Sequence, residues 1–187
     1  MNSQIDAAIN VLKQGGIILY PTDTIWGLGC DATNAEAVEK IYKLKRRSDS
    51  KSLITLAANI DMVCKYIKQM PEIAISLMEV NDKPMTIIYP GATGLAKNLI
   101  AQDGSVAIRV PMNEFCVKLI TRFHRPIVST SANISGQPSP VYYEEISDDI
   151  LNAVDFVVDP EMEEACTHKA SQIIKVGLKN EIEIIRE

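Results

Sequence analysis

The apolar residues of this chain recur with two spacings, one typical of helices and one of buried strands. Ile5, Ile9 and Leu12 fall on one face of a helix, which Gly15 and Gly16 then end. Short apolar runs predict strands at residues 17–20, 53–57, 85–89, 106–110, 127–129, 156–158, 171–176 and 182–185. Helical spacing predicts further helices at residues 62–69, 72–80 and 114–123. The alternation predicts an α/β fold in which helices flank one mixed sheet.

A second helix is predicted from its amino-terminal signal. Thr33 and Glu36 have the spacing of a capping box, and Val38 and Ile41 then mark an inward face. Lys45 comes at the end of this helix. Because open α/β sheets bind ligands in the crevice at strand ends, we expect the chemistry of the protein in its connecting loops.

Size and charge narrow the classes to which the chain can belong. With 187 residues, 47% of them hydrophobic, it is long enough for one domain, which we expect to span residues 1–187. The formal net charge of -5 argues against a generally basic nucleic-acid coat, although a local basic groove stays open. No apolar run approaches the roughly 18 residues that cross a bilayer, and the start has no basic leader. A cytoplasmic protein without membrane contact is therefore expected.

The cysteines and histidines give no sign of a metal centre. Cys30, Cys64, Cys116 and Cys166 are scattered without a Cys-x-x-Cys pair, which favours reduced thiols over disulfide bridges or a zinc site. Only two histidines are present, so a histidine-rich centre is also disfavoured. We therefore predict no metal ligands from the protein.

The segment from Pro21 to Gly29 carries the first candidate chemistry. Thr22 and Thr24 offer hydroxyls to a carboxylate or phosphate, and Gly27 with Gly29 permits close approach of the backbone. An ordinary strand-to-helix connection is the alternative. The glycines also match a dinucleotide-binding fingerprint, but that motif follows its strand almost directly, whereas several residues intervene here.

A run of cations follows the second predicted helix. Lys45, Arg46, Arg47 and Lys51 lie within seven residues. Fixed cations are what phosphoryl oxygens require in a partly dry site. A solvated helix end, favoured by the helix dipole, explains the run equally well.

A cluster of hydroxyl groups follows a predicted buried strand. Ser129, Thr130, Ser131 and Asn133 add desolvation cost there without adding packing, which indicates a binding loop. Arg109 ends another apolar strand, where it can bind a carboxylate through two hydrogen bonds; a rim position is the alternative. A serine triad is disfavoured because no nucleophile elbow is present. Together the clusters predict a pocket for an anionic, phosphate-bearing ligand.

In order and spacing these segments resemble the YrdC/Sua5 family, whose members include threonylcarbamoyl-AMP synthases. The likeness runs from about Ile5 to Arg186. It is carried by the segment 20–29, by Lys45-x-Arg47, by the strand 106–111 and by Ser131-x-Asn133 with Ser139-Pro140. The resemblance implies a single YrdC-like domain whose twisted mixed sheet, flanked by helices, surrounds a concave basic ligand groove.

The resemblance also implies an enzyme, a nucleotidyltransferase that converts L-threonine, bicarbonate and ATP to threonylcarbamoyl-AMP and pyrophosphate. This is the first step in making threonylcarbamoyladenosine at position 37 of tRNAs that read codons beginning with A. A Mg²⁺ ion bound mainly through the ATP phosphates is expected. Contact with tRNA or double-stranded RNA, and with the proteins that transfer the threonylcarbamoyl group, is left open.

Carried over position by position, the resemblance implies two sets of binding residues. Threonine or its carbamate would be held by Thr24, Arg109, Ser131 and Ser171. The nucleotide and its phosphates would be held by Lys45, Arg47, Lys51, Ser105, Asn133, Ser139 and Arg186. The expected catalytic residues within these sets are Lys45, Arg47, Ser131 and Asn133.

The chain departs from the family pattern at a few positions. Of a Trp-Pro-Gly-Pro-x-Thr segment only Pro84 and Thr86 remain, Leu56 replaces a histidine, and Gln172 replaces a threonine. These changes leave the phosphate side intact and alter packing on the threonine side. Trp26 is expected to fill the core.

Two alternative functions remain. One is a YrdC-like protein that binds double-stranded RNA or nucleotide without synthase activity. The other, less favoured, is a carbamoyl-transfer domain of hydrogenase maturation proteins.

Overall fold

The computed structural model describes residues 1–46, 53–163 and 166–187. Its helices are α1 (Asn2–Lys13), α2 (Ala35–Leu44), α3 (Ile60–Lys65), α4 (Glu72–Val80), α5 (Glu114–Phe123) and α6 (Asp148–Leu151). Its strands are β1 (Ile18–Tyr20), β2 (Gly27–Gly29), β3 (Ile54–Leu56), β4 (Met85–Tyr89), β5 (Val106–Arg109), β6 (Ile127–Ser131), β7 (Phe156–Val157), β8 (Gln172–Val176) and β9 (Ile182–Arg186). Among the described helices, none is both long and apolar enough to span a bilayer.

The described strands form one sheet in the order β7-β1-β2-β6-β3-β5-β4-β8-β9. Three strand pairs are parallel, namely β1 with β7, β3 with β5 and β4 with β8. The remaining neighbours are antiparallel. The sheet is therefore mixed, as the pattern of apolar residues predicted.

Helices cover both faces of the sheet, because successive side chains of a strand point to opposite sides. In β1, Ile18 and Tyr20 join a core with Ile5 of α1 and Leu119 of α5. Leu19 joins the second core on the other side. Each such buried aliphatic side chain contributes roughly 1.5–3 kcal/mol, so the two cores hold the sheet between its helices.

An asparagine, and not the predicted capping box, starts α2. The Asn34 Oδ1 atom accepts hydrogen bonds from the backbone N–H groups of Glu36 and Ala37, at 3.0 and 3.1 Å. Thr33 instead donates its hydroxyl to Asp31 Oδ1 at 2.7 Å. Asparagine caps a helix as well as threonine does, so the prediction was off by one residue.

The third helix lies closer to the amino terminus than predicted. Asn59 Oδ1 accepts from the backbone N–H of Met62 at 2.9 Å, so α3 begins at Ile60. It ends at Lys65 because the chain beyond it finds other backbone partners: residue 67 forms a β-bridge with residue 92. The helical spacing of residues 66–69 therefore does not produce a helix, because this part of the chain pairs with residue 92 instead.

The glycines predicted to lie in a loop form strand β2 instead. A Cβ atom at Gly29 would lie 2.6 Å from Tyr20 Cε1 and 2.8 Å from the carbonyl oxygen of Val128. Only glycine therefore permits this strand to lie between β1 and β6. The hydroxyl cluster is likewise part of a strand, since β6 runs as far as Ser131.

Candidate active site

A cleft of about 660 Å³ lies against seven strands of the sheet, from β2 to β9. The predicted site residues that line it are Thr24, Ser105, Arg109, Ser131, Ser139, Ser171 and Arg186. The charged lining residues of the described chain are Arg109, Lys175, Arg186 and Glu183. Asp23 and Asp103 lie within ion-pair distance of Arg109 and Lys175, so two of these three cations have a carboxylate close by.

Arg109 forms the buried end of the cleft, and its side chain is only 3% exposed. Its Nη1 atom donates to Thr24 Oγ1 at 2.8 Å and lies 3.4 Å from Asp23 Oδ1, close enough for ion pairing but without hydrogen-bond geometry. Asp23 Oδ2 accepts from the backbone N–H of Met112 at 3.2 Å. The Arg109 Nε–H has no hydrogen-bond partner among the described residues. A buried donor left over in a ligand cleft suits an anion.

The hydroxyl of Thr24 has a defined role because each hydroxyl has only one hydrogen. Thr22 Oγ1 donates to the Ile25 carbonyl at 2.8 Å, so in the 2.9 Å contact between the two hydroxyls Thr24 must be the donor. Thr24 also accepts from Arg109. One lone pair of Thr24 therefore remains for a ligand donor, while Thr22 is committed to the turn and is not among the cleft-lining residues described.

Lys45 lies behind the wall of the cleft, with its side chain buried. Its Nζ atom donates to the carbonyl oxygens of Ser131 at 2.6 Å and Asn133 at 2.7 Å. Neither Lys45 nor Asn133 is among the described lining residues. Asn133 in turn donates its side-chain amide to the Gln137 carbonyl at 2.7 Å. Lys45 thus fixes the backbone that presents the Ser131 hydroxyl.

On the opposite side, β8 and β9 bring Ser171 and Arg186 together. Arg186 donates through Nε at 2.9 Å and Nη2 at 2.6 Å to the Ser171 carbonyl. The Ser171 hydroxyl contacts Thr86 Oγ1 at 2.7 Å. Partial loss of water and the nearby charge of Arg109 lower the pKa of Arg186, which stays protonated. Two like charges facing one cleft are relieved when an anion binds between them.

Ser105 is held by a carboxylate at the cleft margin. Asp103 Oδ1 accepts from the Ser105 hydroxyl at 2.6 Å and from its backbone N–H at 3.0 Å, and Oδ2 lies 3.1 Å from Lys175 Nζ. These contacts, led by the Ser105 hydroxyl, lower the pKa of Asp103 to about 2. Because its hydrogen is used, the Ser105 hydroxyl offers lone pairs to a ligand.

Of the remaining predicted cations, only Arg46 falls among the described residues. Arg47 and Lys51 lie outside the described residues. Arg46 is exposed and 3.9 Å from Asp149, which agrees with the solvated-helix-end alternative. Trp26 is fully buried, with its ring centroid 5.1 Å from that of Tyr143, and it also lines the cleft.

Sequence reasoning missed several contributors to the cleft. Asp23 lies within segment 20–29, and a carboxylate between two threonines could have indicated a partner for a buried cation. Thr86 was one of the residues retained from the family segment. Lys175 and Glu183 face the cleft from β8 and β9, and neither has a distinguishing neighbour in sequence. Only the pairing of β8 with β4, and of β9 with β8, brings them there.

The fold is that of an α/β protein with one mixed sheet, and its cleft is lined by hydroxyl groups, cations and a carboxylate. A model of the Sua5/YciO/YrdC domain family, described as "Telomere recombination", matches residues 10–187. The chain belongs to this family.

Relatives of similar length carry the name threonylcarbamoyl-AMP synthase. The protein of Pseudoalteromonas translucida is 35% identical over 160 residues, covering 84% of this chain and 86% of that protein. The protein of Blochmanniella pennsylvanica is 39% identical over 142 residues, covering 74% and 73%. The protein of Vibrio parahaemolyticus is 31% identical over 181 residues, covering 92% and 98%.

Solved structures share the fold. Pyrococcus abyssi Sua5 complexed with L-threonine is 28% identical with a TM-score of 0.82; the match covers 92% of this chain and 50% of that one. This chain therefore spans about half the length of that Sua5 protein. Escherichia coli YciO, at 22% identity and a TM-score of 0.82 over 100% of this chain and 90% of that one, shows the fold alone.

Proposed function

We propose that this chain is an L-threonylcarbamoyladenylate synthase, which makes threonylcarbamoyl-AMP and pyrophosphate from L-threonine, bicarbonate and ATP. One observation carries the proposal: Thr24, Arg109, Ser131 and Ser171, which are far apart in sequence, line one cleft. The relatives of similar length that carry the synthase name support it.

Threonine would bind at the buried end of the cleft. The unpartnered Nε–H of Arg109 suits a carboxylate or carbamate oxygen, since charge-assisted hydrogen bonds are strong in a dry site. The free lone pair of Thr24 suits an N–H of the amino acid. Asp23 balances the charge of Arg109, so the end of the cleft can hold its guanidinium before substrate arrives.

ATP would occupy the wider part of the cleft, beside Ser105, Ser139 and Arg186. Arg186 is held by Ser171, so the nucleotide and threonine sets meet at this contact. Lys45 and Asn133 act in this proposal by fixing the backbone around Ser131. Arg47 and Lys51 complete the phosphate side as expectations from the family likeness.

The chemistry requires positioning more than a protein nucleophile. The amine of threonine and bicarbonate give a carbamate with loss of water, and a carbamate oxygen then attacks the α-phosphorus of ATP. The bond from this phosphorus to the bridging oxygen breaks, and pyrophosphate leaves with that electron pair. Arg109 and Arg186 would stabilise the negative charge of the reacting groups, which is the main protein contribution in phosphoryl-type transfers.

A Mg²⁺ ion would be bound mainly by ATP phosphates and water, since magnesium keeps several waters and needs few protein ligands. The cleft wall fits this expectation: its described lining has hydroxyls and one carboxylate, Glu183, which is a suitable oxygen ligand. Magnesium would supply charge neutralisation at the phosphates. Contact with tRNA or double-stranded RNA, and with transfer proteins, stays a prediction.

Pyrophosphate release tests the proposal. With MgATP we expect release only when L-threonine and bicarbonate are both present, and little release with L-serine in place of threonine. Thr24→Val should lower kcat/KM for threonine about tenfold or more, because it removes a hydrogen-bonded group next to a charge. Thr121→Val, on an exposed face of α5, is the matched control and should change kcat/KM less than twofold.

One result would count against this function, and another against the assignment of Thr24 to the threonine site. A folded protein that releases no pyrophosphate under any combination would favour a relative without synthase activity. Release that Thr24→Val leaves unchanged would keep the activity but remove Thr24 from the threonine site.

A further inference from the structure

A cluster of metal-ligating side chains lies beside the cleft and has no part in the proposed reaction. Glu163, Cys166 and His168 each bring one ligand atom to within 4.8 Å of the other two. All three side chains are half-buried. Such a cluster combines a carboxylate, a thiol and an imidazole, which is the donor set typical of zinc and not of magnesium or calcium.

The Glu163 carboxylate has an unexplained buried atom. Its Oε1 is buried and has no hydrogen-bond partner among the described residues. A buried carboxylate oxygen without a partner costs free energy, and a cation next to it removes that cost. This orphan atom is an observation separate from the clustering of the three residues.

Two of the three residues are oriented by backbone carbonyls. The Cys166 thiol donates to the Thr24 carbonyl at 2.6 Å, a hydrogen bond that it would exchange for a metal bond on losing its proton. His168 Nδ1 lies 3.3 Å from the Val141 carbonyl, so this nitrogen is the protonated one and Nε2 keeps its lone pair. Metal-binding histidines are usually oriented in this way, by donating from the other ring nitrogen to a carbonyl.

The geometry points to a zinc-type divalent metal site formed by Glu163, Cys166 and His168. Bonds of about 2.0–2.3 Å to a tetrahedral zinc ion place ligand atoms roughly 3.3–3.8 Å apart. Donor atoms within 4.8 Å reach this spacing by moving about 1 Å, which side-chain torsions provide. The fourth position would be taken by water.

The ion would tie the wall of the threonine site to the segment that follows β7. Thr167 already donates its backbone N–H to the Asp23 carbonyl at 3.0 Å, beside the Cys166 contact with Thr24. Ser171 follows His168 closely and lines the cleft. The ion would therefore hold these two segments together, which extends the description of the protein beyond the proposed reaction.

Cobalt binding tests the site without any substrate of the proposed enzyme. The full chain, reduced and treated with a chelator, is titrated with Co²⁺ and then with Zn²⁺. We expect one equivalent of Co²⁺ to give a thiolate-to-cobalt absorption band, which Zn²⁺ then displaces, and zinc to raise the melting temperature. Cys166→Ser should remove the band and weaken zinc binding at least tenfold. Glu163→Gln should weaken it about tenfold with the band retained.

Cys64→Ser is the matched control, because Cys64 is an exposed thiol on α3. It should leave the band and the affinity unchanged, and thermal melts without metal show whether each variant is folded. A band that survives in Cys166→Ser, zinc affinity equal in Glu163→Gln and the unaltered chain, or no saturable binding at one equivalent would each overturn the proposal. Both the expected and the contradicting results are read from metal binding alone, so they do not depend on synthase activity.

Discussion

The two ends of the cleft hold their charges in different ways. At the β5 end, Arg109 and Asp23 are 3% and 4% exposed, and Thr24 fixes the guanidinium. At the β8 and β9 end, Lys175 and Asp103 form a pair whose side chains are 43% and 54% exposed. Both pairs are within ion-pair distance, at 3.4 and 3.1 Å.

The difference shows why the distance between the charged atoms does not by itself determine how much each ion pair contributes to stability. An exposed pair contributes about 0–1 kcal/mol because water screens it. Breaking a buried pair costs about 3–5 kcal/mol because the remaining charge cannot recover its water. The β5 end is therefore fixed before substrate binds, whereas the β8 and β9 end can adjust to it.

Replacement of Arg109 should have the largest effect. Arg109→Ala leaves Asp23 buried without its cation, so the free energy of unfolding should fall by about 3–5 kcal/mol. Turnover should fall about 100-fold or more, as for loss of a buried charge-stabilising donor. Urea unfolding and pyrophosphate release measure the two effects.

If Arg109→Ala does not fold, Arg109→Lys keeps the charge and still removes the fork that contacts Thr24. Arg122→Ala, which removes a surface partner of Asp6, is the control and should change stability by less than about 1 kcal/mol. If Arg109→Ala and Arg122→Ala lowered the free energy of unfolding equally, buried and exposed ion pairs would not differ in this protein.

Replacement of Lys45 should have the next largest effect. Lys45→Met leaves the carbonyls of Ser131 and Asn133 without this donor, so the free energy of unfolding should fall by about 1–3 kcal/mol. Turnover should also fall, because the Ser131 hydroxyl is displaced. Lys43→Met, at a side chain 76% exposed, should change stability by about 0.5 kcal/mol at most. Normal turnover in a folded Lys45→Met protein would contradict the positioning role.

Arg186→Ala should have a smaller effect that appears in binding. Arg186 lies on the exposed strand β9, so we expect stability to change by no more than about 1 kcal/mol. The KM for ATP should rise about two- to tenfold, since one hydrogen-bonding cation is lost from the cleft. Steady-state kinetics check this, with Lys179→Ala in the exposed turn before β9 as control. An unchanged KM for ATP would place the nucleotide elsewhere.

The smallest effect concerns the titration of Asp103. Contacts with Ser105 and Lys175 lower its pKa from 3.8 to about 2. The folded carboxylate therefore stabilises the protein above about pH 4, and this contribution is lost as the pH falls through about 2. In Ser105→Ala the pKa of Asp103 should rise toward 3.8, as measured by NMR of the carboxyl carbon. Ser147→Ala should leave it unchanged; the same midpoint in both variants would exclude Ser105 as the cause.

Much of the fold and of the cleft could be predicted from local pattern. Periodic apolar residues located α1, α5 and most strands, because burial on one face imposes a period. Side-chain chemistry and position singled out Thr24, Arg109 and Ser131, the family likeness added Ser171, and all four line the cleft. The roles of these residues stay predictions.

What failed depended on neighbours that are distant in sequence. Residues 27–29 have the composition of a loop, yet contact with Tyr20 and Val128 makes them a central strand. The expectation of no zinc site stays a prediction, although Glu163, Cys166 and His168 bring their ligand atoms within 4.8 Å of one another. Spacing motifs do not reveal such a cluster.

Side-chain chemistry and short-range spacing along the chain specify the alternation of helices and strands, the positions of the cations and hydroxyls, and the family likeness. Which charges are buried depends instead on how distant segments pack together. In the folded protein Arg109 is buried next to Asp23, and Lys45 is buried behind Ser131. Arg186 lies on an exposed strand. The physical reason is that desolvation depends on what packs around a charge, and strands far apart in the chain supply that packing.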